Sequence, residues 1–129
     1  KEVETELKTE PLLTEKKEER LTILPIMHHD LWDMYKTHEA AIWHAHEVKL
    51  TDDLKDWVKL TDDERYFVKH VLAFFASSDL IVVGNLAKRF MGEVKILEAQ
   101  VFYAFQMMME NIHSETYANM IDTYITDKV

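Results

Sequence analysis

Apolar residues recur along this chain at steps of three and four, the spacing that puts side chains on one face of a helix. From Asp30, a plausible N-cap, the series Leu31, Met34, Tyr35, His38, Ile42, His46 predicts a first helix that ends near Val48. Leu50-Thr-Asp-Asp-Leu54 offers a second start, and Thr61 followed by Glu64 is a capping box, so a short helix and then a long one should follow. The long helix is expected from Asp62 to about Phe90, with Leu72, Phe75, Asp79, Val82, Val83 and Leu86 on one stripe. A turn near Met91-Gly92-Glu93 precedes a third long helix from about Ile96 to about Tyr124. Upstream, residues 21–26 are apolar but interrupted by Pro25, and read as an extended strap. Residues 1–20 hold seven Glu and five Lys or Arg, too polar to order themselves, and predict a mobile arm. The helical domain is therefore expected over residues 21–129.

Composition narrows the choice further. Only 2 Gly and 2 Pro in 129 residues leave few turn formers for strands, so the fold class is all-α and the length suits one small domain. A net charge of −9 would repel a phosphate backbone, which argues against nucleic acid as a partner. The absence of Cys excludes a disulfide framework, a thiolate zinc site and a cysteine nucleophile. Residues 71–87 are apolar except for Ser77, Ser78, Asp79 and Asn85. An acid near the centre of such a stretch costs ~2.5–3.5 kcal/mol on membrane insertion, so a helix buried in protein is expected instead. No apolar signal core opens the chain, and a cytoplasmic protein is the expectation.

The chemistry concentrates in two places. Glu110-Asn-Ile-His113 places a carboxylate and an imidazole on one helical face, where both can reach one metal ion. A surface Glu beside a core His gives the same spacing, and one such pair is expected by chance in a chain of this composition. Tyr117 changes the weighing, because Glu110, His113 and Tyr117 fall within an arc of about 60°. Gln106 and Tyr103 continue this polar stripe on an otherwise apolar helix. The second place is Asp79, an acid on the apolar face of the preceding helix, where a lone charge is costly. A cation would relieve it; so would a Lys, Ser78 or a helix end. A carboxylate on one helix and Glu-x-x-His on the next make half of a ferritin-like dinuclear carboxylate arrangement. Such ligands, without thiolate, suit iron or manganese. His44 with Glu47, and the pair His28-His29, are weaker constellations with no second carboxylate helix beside them.

Three segments, Val71-Leu-Ala-Phe-Phe-Ala-Ser-Ser-Asp79, Met109-Glu-Asn-Ile-His-Ser-Glu-Thr-Tyr117 and Ile121-Asp-Thr-Tyr-Ile125, resemble the small subunit of class I ribonucleotide reductases, eukaryotic-like branch. The similarity runs from about Glu10-Pro-Leu-Leu13 through Tyr35-Lys36 and Ala41-Ile-Trp43 to Asp127. The resemblance implies the N-terminal half of a ferritin-like helical bundle, with Asp79, Glu110 and His113 as metal ligands and Tyr117 as the side chain oxidised to a stable radical. It implies that Trp43 is the relay residue toward the catalytic large subunit. The implied cofactor is dinuclear iron, with manganese as the alternative, and dioxygen generates the radical.

The sequence departs from the family where Leu80-Ile-Val-Val-Gly-Asn85 replaces the usual Gly-Ile-Val-Asn-Glu-Asn, which bears on local helix shape. The larger departure is length, since the family's second Glu, second Glu-x-x-His and C-terminal docking tail are absent from this sequence. The expected partners are therefore a C-terminal half, as a separate chain or a missing segment, a second small subunit, and the large subunit. Two other readings use the same residues: a non-catalytic helical interaction module, and a ferritin-like metal-binding homodimer or oxidase. Tyr117 at its spacing favours the reductase.

Overall fold

The computed structural model describes residues 9–14 and 20–126, all helix, turn and irregular chain. In chain order the helices are α1 (Pro11–Thr14), α2 (His29–Glu39), α3 (Leu54–Trp57), α4 (Asp62–Asn85), α5 (Met91–Glu93) and α6 (Leu97–Tyr124), with 3-10 turns at Ala45–Glu47 and Thr51–Asp53. A π-helical segment, Leu86–Phe90, joins α4 to α5. The expected all-α class and the two long helices stand as read from the pattern. Of the expected arm, residues 1–8 and 15–19 lie outside the described residues. Within it, α1 forms one helical turn whose Leu12 carbonyl accepts a hydrogen bond from the Lys95 amide at 2.7 Å.

The chain divides into two compact units, one of residues 1–42 and 84–108, the other of residues 43–83 and 109–129. In the first, Val94, Ile96 and Ala99 form a small core against which Leu12, Leu31 and Tyr103 pack. Its most buried side chain is Glu98, fully removed from solvent. Arg20 donates to both Glu98 carboxylate oxygens at 2.9 Å, and the Met27 amide donates to Oε1 at 2.9 Å. Arg20 also donates to the Pro25 carbonyl at 2.7 Å, so one guanidinium holds the apolar strap to the head of α6. Burial alone would raise the Glu98 carboxyl pKa; hydrogen bonds from Met27 and Arg20, and the charge of Arg20, hold it below the ordinary value.

Three boundaries differ from the pattern. The first helix starts after His28 rather than Asp30, which sits in its first turn, where its charge suits the helix N-terminus. It ends at Glu39, not near Val48. A competing local structure stops it: the Glu47 carboxylate accepts from the His44 amide at 3.0 Å, a capping box that starts a new turn at Ala45. Near residues 91–93, where a turn is expected, the chain instead runs on through the π segment into α5 and becomes extended at Val94. The Thr61–Glu64 capping box forms as read, with Glu64 accepting from the Thr61 amide at 2.7 Å.

Candidate metal centre

The second unit brings together residues far apart in sequence. Asp79 projects from the C-terminal third of α4; Glu110 and His113, one turn apart, project from α6. One ligand atom from each lies within 4.8 Å of the other two. Among the described residues this is the one group of three metal-ligating side chains that converges. His113 Nδ1 lies 3.3 Å from Glu110 Oε2. Oδ2 of Asp79 is buried and has no hydrogen-bond partner.

The electrostatics follow from that crowding. Burial pushes the Asp79 carboxyl above its ordinary pKa, the negative charge of Glu110 adds to the rise, and His113 opposes it. Two acids and an imidazole this close, one with an unmatched buried oxygen, are a poor arrangement for a packed interior and a good one for a cation. The donor set of two carboxylates and one imidazole, with no thiolate, fits iron or manganese.

Two of the aromatic residues singled out in the sequence, Trp43 and Tyr117, lie in the same unit as this cluster. Trp43 stacks on the His113 ring, with centroids 5.6 Å apart and planes inclined by 24°. Tyr117, one turn beyond His113, stacks on Phe75, one turn before Asp79, with centroids 5.4 Å apart and planes inclined by 13°. Tyr103 belongs to the other unit, where its ring lies 5.6 Å from that of Phe90. The weaker constellation at His44 stays a surface pair: its Nδ1 is 3.1 Å from Glu47 Oε1, and both side chains are more than half exposed. His28 and His29 sit at the start of α2 and belong to no converging group of three ligands among the described residues. Phase along the helices could place Phe75 near Asp79, but only the pairing of α4 with α6 shows that it faces Tyr117.

The chain is also similar to proteins already described. The family described as "Ribonucleotide reductase, small chain" matches residues 20–129. A ribonucleoside-diphosphate reductase small chain of Variola virus is 58% identical over 118 residues, covering 92% of this chain and 37% of the viral one. The Neurospora crassa small chain is 57% identical over 119 residues, covering 92% of this chain and 29% of the fungal one. Among solved structures, the ribonucleotide reductase Rnr4 homodimer of Saccharomyces cerevisiae superposes with a TM-score of 0.86 at 36% identity, covering 98% of this chain and 40% of that one. The chain thus spans about a third of the length of the curated relatives it matches.

Proposed function

The chain belongs to the ribonucleotide reductase small-chain family, and from that premise we propose that it is the N-terminal part of the subunit that makes the radical for deoxyribonucleotide synthesis. The observation that carries this reading is the convergence of Asp79, Glu110 and His113 within 4.8 Å, with Tyr117 one helical turn away on the same helix as two of them. Asp79, Glu110 and His113 hold their share of a dinuclear site, iron or else manganese, and residues 21–129 supply two of its four ligand helices. A metal pair held there would supply, with dioxygen as the oxidant, the oxidising equivalent that a phenol requires.

Tyr117 is the side chain oxidised. It would give one electron to that oxidant and its phenolic proton to the oxygen being reduced toward water, leaving a neutral tyrosyl radical. Trp43, stacked on the ligand His113, offers an oxidisable ring through which an electron passes between the site and the large subunit. The ribonucleotide is reduced on that large subunit, and this chain does not bind it. The protein works in the cytoplasm.

A second observation supports the incomplete bundle. Phe67, Phe74 and Ile81 repeat every seven residues along α4 and are 64–68% exposed. Such a stripe marks a missing partner. The helices that cover the exposed apolar surface and bring the second Glu and Glu-x-x-His belong to the remainder of the small subunit, as a continuation or a separate chain, and the completed subunit dimerises. The stretch Asp62–Glu93 is long and apolar enough to cross a membrane by length and composition. In this family it is a core helix.

The test is the assembled small subunit, metal-loaded and exposed to dioxygen. A tyrosyl radical should appear in its electron paramagnetic resonance spectrum and ribonucleotide reduction should follow on adding the large subunit. Tyr117→Phe should keep the metal and lose both. An undiminished tyrosyl signal in that variant would move the radical to another residue and refute the assignment.

A further inference from the structure

We propose that Phe75 is a positioning residue for Tyr117, fixing the orientation of the phenol ring and closing one of its faces; the inference rests on the radical reading above. Its basis is a register. Phe75 precedes Asp79 by four residues on α4, and Tyr117 follows His113 by four on α6, so each pair is one turn apart on one helical face. The antiparallel pairing that brings Asp79 to His113 and Glu110 therefore also brings Phe75 to Tyr117. The rings meet nearly parallel, 13° apart at 5.4 Å between centroids, while Phe74 abuts Phe75 edge-on at 5.5 Å.

A tyrosine ring on an open helix face turns in a broad, soft well about its last side-chain bond. A flat neighbour lying parallel to it narrows that well, because rotating the phenol drives its edge into the facing ring. A branched aliphatic side chain of similar size has no plane and selects no orientation. Phe has a second property that suits this place. Its ring is much harder to oxidise than a phenol or an indole, so it touches the radical-bearing ring without drawing the unpaired electron away. The stack also excludes water and reductants from the face it covers.

The orientation is readable in the radical itself, because the splitting from the two Cβ protons depends on the angle between each Cβ–H bond and the ring's π system. The experiment uses the metal-loaded assembled small subunit, unmutated and with Phe75→Leu or Phe75→Met, after metal content has been matched. Both variants should keep the Tyr117 radical but show a shifted or broadened Cβ-proton splitting and a several-fold shorter radical lifetime. An unchanged splitting and lifetime in both variants would overturn the proposal. If neither variant loads metal, the unmutated protein grown on ring-deuterated phenylalanine decides. Deuterium couplings to the radical from a facing ring are expected, and their absence overturns the positioning role. A fully metal-loaded, unmutated protein with no tyrosyl radical fails earlier, at the radical reading, and removes this inference with it.

Discussion

Glu98 and Asp79 are both acids drawn out of water, one in each compact unit, and they differ in what answers the charge. Around Glu98 the chain supplies everything: a guanidinium on both oxygens, a backbone amide, and a carboxyl pKa held low although burial works against it. Around Asp79 it supplies the opposite, a second acid, a partly exposed imidazole and one buried oxygen with no partner, and the carboxyl is pushed up. Removal from water penalises both. The first acid is a finished structural joint; the second has the unanswered charge that the proposed metal-ligand role would use. A buried acid thus distinguishes structure from chemistry only when its partners are traced.

The comparison breaks most visibly at Arg20. Arg20→Ala leaves Glu98 buried without its counter-charge, a change that costs about 3–5 kcal/mol in comparable buried pairs. The denaturation midpoint of the assembled subunit should fall accordingly, and an unchanged midpoint would show that the pair contributes nothing to folding. Acid should act on the same joint. Because the folded-state pKa of Glu98 is depressed, its contribution is fully present above the ordinary glutamate value of about 4.3. It is lost as the pH falls through the lower folded value. The acid limb of the stability curve should therefore flatten in Arg20→Ala.

At Asp79 the expected effect is smaller and of the opposite sign. In the metal-free protein, Asp79→Asn removes a charge that burial and Glu110 disfavour, so the thermal midpoint should hold or rise slightly. A clear loss of stability would mean that Asp79 is a structural acid like Glu98.

The same contrast explains what was legible in the sequence. Glu110, His113 and Tyr117 could be read because three, four and seven residues are helical repeats, and Asp79 because an acid interrupts an apolar stripe. These signals are local. Glu98 and Arg20 lie 78 residues apart, and Arg20 reads as one more charge at the end of a polar arm. Nothing in the chain near Glu98 marks it as the most buried side chain among the described residues. The stacks of Trp43 on His113 and Phe75 on Tyr117 are tertiary as well, although Phe75 shares a helical stripe with Asp79. The end of the first helix at Glu39 is hidden for a different reason. The apolar spacing continues to His46, but the His44–Glu47 capping box competes with it and wins.

The claim that most needs testing is that Asp79, Glu110 and His113 hold metal. Elemental analysis of the assembled small subunit after dialysis, unmutated and with His113→Ala or Asp79→Asn, tests it directly. Iron or manganese should be retained by the unmutated protein and fall sharply in both variants, with the helical content unchanged by circular dichroism. Equal metal in all three proteins would contradict the ligand assignment and, with it, the function proposed for this chain.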